Sequence, residues 1–203
     1  MSILPNAAHS IALDCQLDNV PGTLGRLCAA IGEAGGNIGA LDGFDVRGPV
    51  LRRSLVVHCR NEEHQNAVVA AVQKLDGITV IDWWDRTFRM HEAGKVEVIT
   101  TAPVNDRDDL SMAYTPGVAR VCTAIESDPS LSHKYTIRKN TVAIVSNGTA
   151  VLGLGDIGPE GAMPVMEGKA LLFKEFGGVN GFPICINART ADEVVDFVQR
   201  IAP

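Results

Sequence analysis

The chain has 203 residues, 46% of them hydrophobic and 21% charged, with a formal net charge of −6, a globular composition long enough for one large or two small domains. No basic stripe accompanies that charge, which speaks against a nucleic-acid partner, and the opening MSILPNAAHSIALDC is neither a signal peptide nor a membrane span. The five cysteines (Cys15, Cys28, Cys59, Cys122, Cys185) are odd in number and form no CxxC pair, which argues against a zinc ribbon or disulfide framework and for a reducing, cytoplasmic setting.

The first half is strongly patterned. Ile11, Leu13, Cys15 and Leu17 alternate with Ala12, Asp14 and Gln16, the period of a strand. DNVPG at 18–22 turns the chain through Pro21-Gly22. From Thr23, Leu24, Leu27, Cys28 and Ile31 fall at i, i+3, i+4 and i+7, a helix that stops at Gly35-Gly36. Segments 37–46 and 51–59 then read as a hairpin around Arg47-Gly48-Pro49-Val50. A second helix is expected over 62–75, with Ala67, Val68, Ala71, Val72 and Leu75 on one face, and ITVIDWWD closes the unit as a strand. The order βαββαβ is the ferredoxin-like, split-βαβ arrangement, a fold that hosts too many functions to name one.

Segment 89–106 is weakly patterned, with one short strand candidate, KVEVIT, and the linker is placed near 88–94. From 107 onward strands and helices alternate. A helix is expected over 116–127, strands over 141–146 and 150–154, a helix over 163–176, a strand over 182–187 and a helix over 191–202, which predicts a partly parallel sheet with helices outside.

Three stretches of this second half carry candidate chemistry. AVLGLGDIG spaces Gly153, Gly155 and Gly158 as GxGxxG. A dinucleotide site needs a strand leading in, a helix starting at the glycines and an acid closing the next strand. VLGLG supplies the strand, but the helix is expected late, after Pro159-Glu160-Gly161-Ala162, and FPICI runs into Asn187-Ala188-Arg189 without a carboxylate. Arg189 could meet a 2′-phosphate, so a minimal dinucleotide binder stays as the runner-up. In MPVMEGKALLFKEFGG, helical spacing puts Lys169 amid Val165, Leu172, Phe173 and Phe176, with Glu167 and Lys174 opposite. A buried ammonium gives up its proton more readily, as a general base must; the alternative is a lysine that snorkels to the helix edge. In LSMAYTPGVAR, Thr115 suits an N-cap and Pro116 a first helical residue, ahead of Val118, Val121, Cys122 and Ile125 on one face. Tyr114 then flanks a helix end that attracts carboxylates, either as a proton donor to a bound acid or as a core tyrosine with its hydroxyl satisfied.

Asn19-x-Pro21-Gly22-x-Leu24, the helix after it and Gly36-Asn37-Ile38 resemble an ACT domain. The resemblance implies a regulatory unit over 8–88, with a small amino-acid effector near Asn19, Pro21, Gly22, Thr23, Leu24, Asn37 and Ile38, often across a domain pair; the other reading is a dimer contact alone. LSMAYTPGVA, TAVLGLGDIGP, PVMEGKALLFKEFGG and FPICI, in that order, resemble the N-terminal, substrate-binding α/β domain of bacterial-type malic enzyme, over 95–203. That family oxidises malate with NAD or NADP and decarboxylates the product to pyruvate, with Mg or Mn polarising the C2 oxygen. The resemblance implies Lys169 as the base for the C2 hydroxyl, Tyr114 as the acid that protonates C3 of enolpyruvate, and Thr115, Gly117, Gly155 and Asp156 at the malate. The glycines of GLGDIG fall in the malate domain, where they let backbone pass close to the cleft. Asn147 and Asn187 stand where the family commonly has Asp, so each site lacks a carboxylate. The family's metal ligands and dinucleotide domain follow the matched region. The chain is therefore expected to hold no cofactor or metal, to be inactive alone, and to belong to a homodimer or higher oligomer. The competing expectation is a stand-alone ACT amino-acid sensor.

Overall fold

A computed structural model describes residues 4–202, so Pro203, the last residue of the expected second domain, lies outside them. The chain divides after Glu92 into two units. In the first, strand β1 (Asn6–Asp18) leads to helix α1 (Thr23–Glu33), the hairpin β2 (Asn37–Arg47) and β3 (Val50–Cys59), helix α2 (Glu62–Gln73), strand β4 (Ile78–Asp85) and a short helix α3 (Arg86–His91). The sheet is antiparallel in the order β2-β3-β1-β4. This is the βαββαβ arrangement that the periodicity predicts.

The alternation along β1 becomes an inner and an outer face. Ile11, Leu13, Cys15 and Leu17 are fully buried with Leu55, Val57 and Cys59 of β3, Leu27 and Ile31 of α1, and Val68 and Val72 of α2. Each large aliphatic in that cluster contributes about 1.5–3 kcal/mol relative to exposure. The buried face of α2 is rotated from the expected one: His64, Gln65, Val68, Val69 and Val72 point inward and Ala67 is exposed. Two polar side chains are admitted because both find partners. His64 accepts at Nδ1 from the Arg60 N–H (3.0 Å) and its Nε2 bonds the Ala34 carbonyl (2.8 Å). Gln65 donates to Asp85. The C-terminal end of β4 continues into α3, capped by the Asp85 carboxylate, which accepts from the Thr87 and Phe88 N–H groups; α3 thus occupies part of the expected linker.

In the second unit, helix α4 (Arg107–Ala113) precedes α5 (Val118–Ser127), a 3-10 turn at Pro129–Leu131, the one-turn helix α6 (Ser132–Tyr135) and a second 3-10 turn at Ile137–Asn140. Strand β5 (Thr141–Ser146), helix α7 (Gly158–Gly177) and strand β6 (Asn180–Cys185) form a parallel βαβ unit, and α8 (Ala191–Ile201) follows. The alternation of strand and helix thus yields the parallel pair expected. No regular element forms at KVEVIT. The expected strand at 150–154 is instead a turn, in which the Val151 N–H bonds Gly155 O (3.0 Å) and the Leu154 N–H bonds Val151 O (2.7 Å). Left-handed φ at Leu152, Gly153 and Gly155 bends the apolar run out of extended geometry.

The faces of two helices also differ from expectation. Helix α7 packs on the strands through Ala162, Met166 and Ala170, while Leu172, Phe173 and Phe176 are 52%, 46% and 86% exposed. Small residues win the inner face because the strand approaches closely: a Cβ on Gly181 of β6 would lie 2.9 Å from the Ala170 Cα. On α5 no residue is buried; Val121 and Cys122 face solvent.

Candidate functional site

The loop from Asn147 to Ile157 joins β5 to α7, at the carboxyl ends of two parallel strands where α/β folds place ligands. Gly148 has φ +76°, and a Cβ there would lie 1.9 Å from the carbonyl oxygen of Gly158. The two loop ends are therefore in backbone contact, sealed by the Ile157 N–H on Gly148 O (3.1 Å). Asn147 uses both halves of its amide. Its Nδ2 donates to Ala188 O beyond β6 (3.1 Å), and its Oδ1 accepts from the Thr149 hydroxyl (2.8 Å). An aspartate could not make the first bond. Asn187 is exposed.

Helix α7 begins at Gly158 itself, five residues earlier than expected, so the glycine spacing does meet a helix on time. What the glycines lack is a strand that ends on them, since β5 stops at Ser146, and the helix end is already occupied. The Gly158 N–H donates to the Asp156 carboxylate (3.2 Å) and Pro159 has no N–H to offer. Glu160 adds a second carboxylate to the same turn. A helix N-terminus takes a phosphate through free N–H groups and positive potential; two carboxylates and a proline diminish both. Arg189 is exposed, and its backbone N–H is held by Glu193, part of the capping box with Thr190 that opens α8.

Lys169 is exposed on α7 rather than enclosed by Leu172, Phe173 and Phe176, so the burial expected of it is absent within this chain. Tyr114 is 69% exposed. It ends α4 rather than flanking an N-cap: the Tyr114 N–H bonds Leu110 O (2.9 Å) and its carbonyl receives the Val118 N–H (3.1 Å). Thr115 is not the cap and Pro116 not the first helical residue; a cis Thr115–Pro116 bond intervenes, and Gly117 caps α5. Gly117 fits because a Cβ there would lie 2.6 Å from Ser111 O, the acceptor of its own N–H at 2.8 Å. Sequence reasoning missed α4, whose signal was available: Asp106 accepts from the Asp108 and Asp109 N–H groups as an N-cap. Tyr114, Thr115 and Gly117 thus share one corner, and Gly155 and Asp156 another. No hydrogen bond or ion pair among the described residues joins the two corners to each other or to Lys169, and α4 and α5 pack on each other. Among the described residues no three His, Cys, Asp or Glu side chains are grouped to hold a metal ion.

In the first unit, the loop between β1 and α1 holds Asn19, Pro21 and Gly22 at the surface, with Thr23 buried and Leu24 half-buried. Asn19 braces the tip of the β2–β3 hairpin, its N–H on Pro49 O (2.8 Å) and its Nδ2 on Gly48 O (3.3 Å). Asn37 and Ile38 lie elsewhere. Asp18 pairs with Val50, whereas Asn37 pairs with His58, and eight residues of β3 separate those positions by about 26 Å. One copy of the chain therefore does not bring the expected effector residues together.

A family model described as the malic enzyme N-terminal domain matches residues 93–196, and one described as an ACT domain matches residues 11–77. An NAD-dependent malic enzyme of Geobacillus stearothermophilus is 46% identical over 203 residues, which is 100% of this chain and 42% of that protein. NAD-dependent malic enzyme 1 of Bacillus subtilis is 42% identical over 97% of this chain and 45% of its own length. The crystal structure of a malic enzyme from Pyrococcus horikoshii is similar with a TM-score of 0.53 at 52% identity, over 54% of this chain and 25% of that one. The chain thus spans less than half the length of these relatives.

Proposed function

Because this chain belongs to the malic enzyme family, we propose that it forms the regulatory and malate-binding part of an NAD-dependent malic enzyme, with the regulatory unit over 8–88 and the malate unit over 95–203. The match to the Geobacillus enzyme supports this reading, since it runs along the whole chain and so through both units. The reaction is oxidation of malate at C2 followed by loss of CO2 to give pyruvate. When bound, NAD or NADP would supply the hydride acceptor and a divalent ion such as Mg or Mn would supply polarisation of the C2 oxygen. The described residues assemble no group of three or more His, Cys, Asp or Glu side chains for a metal, and the Gly158 N–H at the start of α7 is taken by Asp156.

The residues of this chain act on protons. Lys169 takes the C2 hydroxyl proton, and Tyr114 returns one to C3 of the enol. Both side chains are exposed, as groups that must reach a substrate need to be. Thr115, Gly117, Gly155 and Asp156 line the malate from two corners that the remainder of the enzyme draws together. The test grafts these 203 residues in place of the matching part of the Geobacillus enzyme. The expected result is malate-dependent NAD reduction by the graft and none by the chain alone. Lys169→Ala or Tyr114→Phe in the graft lowers kcat roughly hundred- to ten-thousand-fold. A folded graft without activity, or activity from the isolated chain, overturns the reading.

The first unit is read as an effector module for a small amino acid. An antiparallel pairing of the β2 edges of two copies would set one copy's Asn37 beside the other's hairpin tip, and so beside Asn19, which the single chain keeps apart. This makes a homodimer or higher oligomer the binding species. A thermal-shift screen of amino acids tests it: a stabilising amino acid should lose its effect in Asn19→Ala. Stabilisation by an amino acid, with no activity in the graft, would favour a stand-alone sensor. The free cysteines suit a cytoplasmic setting, and among the described residues no helix is long and apolar enough to cross a membrane.

A further inference from the structure

The parallel pair β5–β6 is covered on one face only. Ile144 of β5 and Gly181 of β6 face α7, where Ile144 is buried with Met166 and Ala170. On the opposite face a groove of about 530 Å³ opens between β5 and α8. Ala143 and Val145 line it from the strand, and Val198 and Ile201 line it from the helix. Parallel sheets occur almost only with both faces covered. Here Ala143 is exposed, Val198 and Ile201 are 42% and 38% exposed, and no residue of α8 is buried. Yet α8 has the pattern of a helix with an inner face. Val194, Val198 and Ile201 fall at i, i+4 and i+7, opposite Asp192, Asp196 and Gln199. Left in water, such a stripe forgoes about 25 cal/mol for each Å² of apolar surface it could bury. The mouth of the groove is basic. Arg138 donates through Nη1 to Ser132 Oγ (2.9 Å) and through Nη2 to Ala202 O (3.3 Å), tying the end of α8 to the turn before β5. His133 stands beside it, no carboxylate is among the lining residues, and the sequence has no Asp or Glu between Asp128 and Asp156.

We infer that this groove seats a segment from the remainder of the malic enzyme, an apolar stretch with neutral or acidic flanks; the inference rests on the reading of function above. The relatives supply the occupant. This chain matches 42% and 45% of their lengths, so more than half of each is protein against which a malate unit can pack. A second copy of the chain fits less well. A two-fold contact sets the same patch against itself, and would bring two Arg138 and His133 mouths together without a carboxylate between them. A segment with acidic flanks meets the opposite charge instead.

Thiol labelling with N-ethylmaleimide, read site by site by peptide mass spectrometry, tests it. Ala143→Cys and Val198→Cys place a probe on each wall of the groove, and Gln199→Cys places one on the polar side of α8. Each is made in the 203-residue chain and in the graft with the Geobacillus enzyme. All three should label rapidly in the chain alone. In the graft the two groove probes should slow by more than about tenfold, and Gln199→Cys should not. Groove probes that label as fast in a folded graft as in the chain overturn the inference. So does slow labelling of them already in the chain alone, which would assign the groove to a second copy. Equal slowing of Gln199→Cys also overturns it, since the whole helix and not the groove would then be covered. Should Val198→Cys fail to fold, Ala143→Cys decides with the same control. Inactivity of a folded graft counts against the reading of function, whereas fast labelling in an active graft counts against this inference alone.

Discussion

Replacing Gly148 by alanine tests whether the β5–α7 loop is held by backbone contact. Two costs add. Alanine at φ +76° carries about 1–2 kcal/mol of local strain. Its Cβ would also start 1.9 Å from Gly158 O, so the backbone of one strand of the loop must retreat. That retreat breaks the Ile157 N–H bond to Gly148 O, worth about 1 kcal/mol net. The sum is about 2–3 kcal/mol of destabilisation before any loss of packing around the buried Val151. Gly153→Ala is the matched control. Its φ is +77°, yet nothing lies within 4 Å of the added Cβ, so only the strain remains, about 1–2 kcal/mol. Urea unfolding should be followed by circular dichroism and by amide exchange in β5 and β6. Tryptophan fluorescence would miss the event, because both indoles lie in the other unit. Equal destabilisation by the two variants, within about 0.5 kcal/mol, would refute the close-approach argument and leave the sign of φ as the whole effect.

Three further outcomes follow from the same structure. His64→Ala should cost about 2–4 kcal/mol, because it leaves the Arg60 N–H and the Ala34 carbonyl without their buried partner; thermal unfolding of the first unit measures it. Thr190→Ala removes the side chain that accepts from the Glu193 N–H (3.3 Å) at the start of α8, and should lower α8 stability by about 1 kcal/mol, seen as faster amide exchange over 191–195. Burial pushes the Cys15 thiol up to about 11, helped by Asp14, and burial does the same to Cys59, where Arg60 opposes and Asp85 adds. The folded state then holds these protons above the pH at which the unfolded chain sheds them. Stability from these thiols is complete below about pH 8.5 and is lost as pH rises towards about 11. Denaturation midpoints measured across that range check the sign, and thiol labelling at neutral pH should reach exposed Cys122 well before Cys15 or Cys59.

The first unit was legible because its core follows single-period rules. Ile11, Leu13, Cys15 and Leu17 needed only alternation, and Leu27 and Ile31 needed only helical spacing. The rotation of α2 was not legible, since His64 and Gln65 are tolerated inside through partners from distant parts of the chain, Ala34 and Asp85. In the second unit apolar residues misled. Val151, Leu152 and Leu154 resemble a strand in composition, but the left-handed residues among them make a turn. Leu172, Phe173 and Phe176 outweigh Ala162 and Ala170 on a hydrophobicity scale, yet close helix–strand packing selects the alanines. The motifs drew attention to the candidate site residues, but the turn that Tyr114 makes between α4 and α5 was not legible, because it closes through the Gly117 N–H on Ser111 O and no hydrophobic period encodes that.

The bond from Asn147 to Ala188 O ties the loop leaving β5 to the loop leaving β6. Two segments that would otherwise wander independently are thereby coupled into a single rim above the parallel strands. The entropy of fixing them is spent when the protein folds, so a ligand arriving at that rim would meet a surface already set, and more of its contact energy would be left to appear as affinity. An aspartate, unable to donate, would leave the rim in two pieces.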